Sequence, residues 1–125
     1  MYGLIANIIL MFVEIWKYNM MKSPQVVKAL SALAQPTRLA IFRLLVVAGP
    51  EGEAAGQVAD KLKIAPATLS FHFKALSHAG LIESRQEGRF IYYVANFVVM
   101  NGMVNYLTEN CCGGNESACA PDKKC

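Results

Sequence analysis

No cysteine occurs before position 111 of this 125-residue chain, charged side chains make up only 17% of it, and histidine occurs twice. Each scarcity excludes something. Helices without thiols carry no disulfide framework and no buried thiol ligands. There is no glycine-rich phosphate loop, no Ser/His/Asp signature and no internal repeat, so enzyme readings start weak. No early positive charge or small-residue cleavage site marks a secretory signal, and the expected setting is a reducing cytoplasm. The apolar run Tyr2–Val13 is too short for a membrane span and leads into Glu14 and Lys17, so no membrane partner is expected. What is present is one domain's length of chain, 54% apolar, with a net charge of +3 spread along it. That balance permits nucleic acid as a partner without arguing for it.

Residues 1–20 differ from the rest. Ile, Asn, Tyr, Lys, Met and Phe dominate, residues whose codons are mostly rich in A and T. The expectation is translated upstream DNA, with Met20 or Met21 the natural start; the alternative is a real N-terminal helix that packs on a dimer. From Met21 the organisation is clear. Ser23 can cap a helix with Pro24 in its first position, running to about Ala34 with Val26, Val27, Leu30 and Leu33 apolar. Pro36 opens Thr37–Ala48, apolar on nearly every side except Arg38 and Arg43, as the buried centre of a bundle would be. Asn96 can cap a last helix to about Thr108, whose Val99, Met100, Met103, Val104, Tyr106 and Leu107 make a wide apolar surface. A symmetric dimer through the first and last helices would bury it, although ordinary core would do so too.

The most informative stretch is Pro66–Val94. Pro66 suits a first helical turn, and Leu69, Phe73 and Leu76 recur at the spacing of a buried stripe. Gly80 stops the helix, and Leu81–Arg85 and Arg89–Val94 read as strands around Gln86-Glu87-Gly88. Ala67, Ser70, Phe71 and Lys74 face away from the stripe, with His72 at its margin. A large aromatic opposite the core, among small polar residues and a cation, is unusual for a solvated face and makes sense in a DNA groove. Upstream, Glu53–Lys63 reads as a shorter helix with Ala55, Val58 and Leu62 inward, and Lys63-Ile64-Ala65 as a tight turn. Two short helices so joined, followed by a charged hairpin, describe a helix-turn-helix with a wing, mainly α with a small β-hairpin. A generic α+β domain with a charged turn would share the pattern.

All four cysteines, Cys111, Cys112, Cys119 and Cys125, lie in a glycine-containing tail, residues 109–125. Clustered thiols in a reducing setting suggest metal binding or redox sensing. Three thiolates with no nearby histidine make a poor zinc site but suit a pyramidal, soft ion such as trivalent arsenic or antimony. Cys125 could complete a four-sulfur zinc or cadmium site; at the last position, beyond Lys123-Lys124, it reads as a spare. A tail that binds nothing is the plain alternative.

Leu33-Ala34-Gln35-Pro36-Thr37-Arg38-Leu39, Ile41–Leu45, Ala67–Leu76, Ala79-Gly80-Leu81-Ile82 and Arg85–Arg89 together resemble the ArsR/SmtB family of metal-sensing repressors. The resemblance covers about Ser23 to Thr108, and Phe73 departs from it where the family usually has Leu. It implies a homodimeric winged helix-turn-helix in residues 21–108 that sits on operator DNA without metal and is released by it. Cysteines in the DNA-binding helices mark one arsenic-sensing branch, and Glu53–Ala79 has none. Zinc-sensing members use His and acidic residues on the last helix, where this chain has Asn101 and Asn105. A third branch binds arsenite through a Cys-Cys pair after the last helix plus a further Cys, and Cys111, Cys112 and Cys119 are similar to that set. The expected function is therefore an arsenite- or antimonite-responsive transcriptional repressor. Ser70, Phe71 and His72 would read base edges, and Thr68, Lys74, Arg85 and Arg89 would hold phosphates. Rivals are a thiol redox sensor or a cadmium/zinc sensor of the same fold, a metal buffer, and a small thiol reductase. The last is disfavoured because Cys111 and Cys112 follow a helix C-terminus beside Glu109, not an N-terminus.

Overall fold

A computed structural model describes residues 2–19 and 21–114. Its order is α1 (Tyr2–Asn19), α2 (Ser23–Leu33), α3 (Pro36–Ala48), a 3₁₀ turn (Gly49–Glu51), β1 (Glu53–Ala54), α4 (Ala55–Leu62), α5 (Pro66–His78), β2 (Ile82–Glu87), β3 (Phe90–Ala95), α6 (Phe97–Thr108) and a short turn segment (Cys111–Gly114). Among the described residues no single helix is long and apolar enough to cross a membrane.

Prolines and polar caps set the helix starts. Pro36 opens α3, and the Gln35 side chain accepts from Arg38 N at 2.7 Å. The Asn96 side chain caps α6 by accepting from Val99 N at 3.2 Å, as expected. Ser23 is not the cap of α2: it is the first helical residue, Lys22 is the cap, and Lys22 N donates to Gln25 Oε1 at 3.1 Å. The core is a cluster of Val26 and Ala29 from α2, Ile41, Phe42 and Leu45 from α3, Val58 from α4, Leu69, Phe73 and Leu76 from α5, and Val99 and Met103 from α6. α3 is central, touching α2, α4, α5 and β3, yet Leu39 and Val47 on its far side are exposed. It buries a stripe rather than its whole circumference.

The helix expected over Glu53–Lys63 begins two residues later. Gly52, at φ 77°, lies so close to β3 that a Cβ would fall 2.4 Å from the Tyr93 carbonyl oxygen. That approach lays Glu53 and Ala54 along Tyr93 and Tyr92, giving a three-stranded antiparallel sheet of order β1-β3-β2. Lys61 Nζ then pairs with Glu53 Oε2 at 2.8 Å, holding α4 to β1. Lys63 closes α4 in the left-handed region (φ 53°, ψ 47°), and the chain turns into Pro66. The pair α4–α5 with the hairpin β2–β3 is a winged helix-turn-helix.

The hairpin is longer than expected. Glu87 pairs with Phe90, so Gly88-Arg89 alone make the turn, with Gly88 at φ 60° where a two-residue hairpin needs it. α1 lies against α6, and Leu4, Ile5, Ile8, Ile9, Leu10, Met11 and Phe12 remain exposed. On α6, Val98, Val104 and Leu107 are exposed too.

Candidate nucleic-acid interface

The outward face of α5 follows from its inward one. With Leu69, Phe73 and Leu76 packed into the core, the 3.6-residue repeat turns Ala67, Thr68, Ser70, Phe71 and Lys74 to solvent, and all five are exposed. Phe71 keeps 69% of its surface accessible. Hydroxyls, one ammonium and a projecting aromatic ring thus occupy one face of a helix some 13 residues long. That face can offer hydrogen bonds and a methyl-binding ring to base edges while Lys74 meets backbone phosphate.

His72 is a correction. Expected among the base-edge contacts, it is only 8% exposed, because position 72 falls between Leu69 and Leu76 on the core side. Its ring meets Phe71 edge-on, with centroids 6.0 Å apart. Its Nδ1 is buried with no hydrogen-bond partner. His72 supports the face from beneath and takes no part in its surface.

The wing divides its two arginines. Register places Glu87 with Phe90 and Arg85 with Tyr92 on one face of the hairpin. On that face Arg85 is folded back: Nε pairs with Glu87 Oε1 at 2.8 Å, Nη2 donates to the Glu51 carbonyl at 2.9 Å, and the guanidinium lies 5.5 Å from the Tyr92 ring centre. The residues around it, Pro50, Glu51, Gly52, Glu87 and Tyr92, line an open cleft of about 580 Å³. Arg85, expected to flank the tip as a phosphate contact, is here engaged by Glu51, Glu87 and Tyr92, with 43% of its side chain still exposed. Arg89 sits in the turn itself, exposed. The signal for Arg85 was in the sequence, as a cation two residues from Glu87 and opposite a tyrosine, but reading it required the strand register. The exposed Phe90 was missed for the same reason.

Cys111 and Cys112 stand directly after α6, both exposed, with sulfurs 3.6 Å apart. Left-handed backbone at Asn110 (φ 55°) and Cys112 (φ 55°) turns the chain there and sets the two thiols side by side. Two thiolates bound at about 2.3 Å to one ion can be at most roughly 4.6 Å apart, so this pair fits a shared soft ion. Cys119 and Cys125 lie outside the described residues. Among the described residues no group of three or more His, Cys, Asp or Glu is gathered for a metal.

A family profile described as a helix-turn-helix domain matches residues 33–85. Over 61 residues the chain is 44% identical to the uncharacterized HTH-type transcriptional regulator YceK of Bacillus subtilis (strain 168). That match covers 49% of this chain and 60% of YceK, so the chain spans less than two thirds of that relative. Over 77 residues it is 32% identical to the transcriptional repressor SdpR of the same organism, covering 61% of this chain and 81% of SdpR. In three dimensions it resembles an ArsR-like transcriptional regulator from Rhodococcus sp. RHA1, with a TM-score of 0.60 and 28% identity over 67% of this chain and 76% of that one.

Proposed function

Because the chain belongs to the ArsR-type winged helix-turn-helix transcriptional regulators, we propose that it is a dimeric repressor that leaves its operator when trivalent arsenic or antimony binds Cys111, Cys112 and Cys119. The observation that carries the inducer is the thiol pair, two sulfurs 3.6 Å apart and exposed at the end of α6. Soft thiolates select soft ions, and a pyramidal ion needs only three of the four sulfurs that this chain concentrates after residue 110. The exposed apolar side chains Val98, Val104 and Leu107 put an unburied surface on the same helix, as a dimer contact would require.

Two α5 helices must stand about 34 Å apart to enter successive major grooves. Ser70 and Phe71 read base edges there, while Thr68, Lys74 and Arg89 hold the backbone. An ion drawn into the tail thiols ties the residues beyond α6 back onto that helix. A rotation of one subunit on the other then spoils the spacing. Tenfold release requires about 1.4 kcal/mol of coupling, and linkage demands that operator weaken arsenite binding equally.

The test is fluorescence anisotropy of the reduced chain on its own upstream DNA, titrated with arsenite, zinc and cadmium. Release by near-stoichiometric arsenite, with zinc and cadmium inert, supports the reading. Cys111→Ala, Cys112→Ala or Cys119→Ala abolishes that release, and Cys125→Ala leaves it unchanged. Sequence-specific binding that ignores arsenite overturns the inducer. A thiol redox sensor is the second reading, favoured by the same sulfur contact, because adjacent thiols that touch can also be oxidised to a disulfide. Diamide would then release the operator with no ion added.

A further inference from the structure

Among the described residues beyond α1, the exposed large aromatics are Phe71 on α5 and Phe90 on the wing. Phe90 follows the Gly88-Arg89 turn and is 61% exposed. An aromatic held at the end of a hairpin, beside an exposed cation, costs solvation unless something covers it.

The hairpin that carries it is fixed to α5. Phe73 and Tyr93 stack with ring centres 3.8 Å apart, joining the buried side of the helix to β3. Arg85 braces the outer side through Glu51, Glu87 and Tyr92. Phe90 lies three residues beyond Tyr93, about 10 Å along the strand. Phe90 and Tyr93 point to opposite faces of β3, so Phe90 shares the outer face of the hairpin with Glu87, Arg85 and Tyr92. The minor groove that flanks a major groove lies about half a helical turn away, roughly 17 Å. Glu87, the neighbour that would repel phosphate, is neutralised by Arg85 at 2.8 Å.

We propose that Phe90 is a wedge that enters the minor groove beside each half-site, with Arg89 on the adjoining backbone phosphate, and so makes the base step beneath it a determinant of operator choice. This rests on the DNA-binding reading above. Apolar wedges unstack a base step and kink the duplex, and pyrimidine–purine steps such as TA yield most easily. A braced hairpin suits the role, because a loose one would bend away before the bases did. The wing then contributes sequence preference by deformation, without hydrogen bonds to bases.

The experiment uses the full-length reduced chain and a duplex that the wild type selects from a random pool. The step half a turn outside each half-site is set to TA or to AA, and 2-aminopurine is placed at that step in a second pair. The wild type should bind the TA duplex roughly tenfold tighter and brighten the 2-aminopurine, a step-sized effect for one site position. Phe90→Ala should bind both duplexes alike and leave the probe dark, while Phe90→Leu, still a wedge, keeps part of the preference. Equal binding of TA and AA by the wild type, with Phe71→Ala still weakening both, overturns the wedge and leaves DNA binding intact. If the pool yields no preferred sequence, both readings fall. Should Phe90→Ala unfold, the wild-type probe signal and Phe90→Leu decide the matter.

Discussion

Phe73 and Tyr93 lie face to face, ring centres 3.8 Å apart and planes 14° from parallel, and this contact joins the helix of the candidate DNA face to the wing. Phe73 comes from the buried stripe of α5, and Tyr93 from the face of β3 that also carries the buried Ala95. Two rings stack at this joint. Helix and wing are therefore joined as one body.

Replacing Phe73 separates stacking from packing. Phe73→Leu keeps an apolar side chain and should cost about 1 kcal/mol, the stacking contribution beyond area burial. Phe73→Ala should cost roughly 3–5 kcal/mol through the cavity it leaves. Urea unfolding reads both; a Leu variant as stable as the wild type would remove the stack from the account.

Gly52 is the second packing constraint. A Cβ there meets the Tyr93 oxygen at 2.4 Å and Val94 Cγ2 at 2.8 Å, at φ 77°. Backbone cannot yield as a flexible side chain does. Gly52→Ala should lose about 1–3 kcal/mol from the left-handed strain alone, and more from the displaced β1–β3 pairing. Gly56→Ala, where nothing lies within 4 Å of the new methyl, is the control that should leave stability unreduced. Equal melting of the two variants would refute the close approach.

How far the sequence carried the reading follows the physics of each element. The α5 stripe, the turn at Lys63–Ala65 and the Asn96 cap are local patterns, set by residues a few positions apart, and they stand in the structure. The β1 pairing depends on Gly52 approaching Tyr93 some forty positions on, and nothing near Glu53 announces it. His72 lies at the edge of a stripe, where a 100° repeat leaves the side undecided until neighbouring helices are placed. Arg85 looked like Arg89 because charge alone does not reveal register. Residues 1–20, expected either as translated upstream DNA or as a real N-terminal helix, include α1 (Tyr2–Asn19), which lies on α6.

His72 gives a clean contrast with Phe71. A buried nitrogen with no partner costs about 1–3 kcal/mol, so His72→Leu should hold or raise stability by up to roughly that amount. Sequence-specific binding should survive it, since the ring lies beneath the DNA face. Phe71→Ala should leave the melting temperature almost unchanged and weaken specific binding roughly tenfold, the scale of one lost base contact. Thermal melts with anisotropy on the selected duplex test the pair. Loss of specificity in a stable His72→Leu would return that residue to the interface.

The two wing arginines should separate by salt. Arg89 is exposed in the turn, and a residue that neutralises one phosphate adds about one to the slope of log affinity against log salt. Arg89→Gln should therefore lower that slope by about one per protomer and weaken binding uniformly across sequences. Arg85 is spent on Glu51, Glu87 and Tyr92 within the chain. Arg85→Gln should leave the slope near its original value while loosening the hairpin, seen as faster amide exchange at Tyr92 and Arg85's strand neighbours. A slope that falls equally in both variants would mean that Arg85 lets go of its internal partners on DNA, and that bracing would then be a feature of the unbound chain alone.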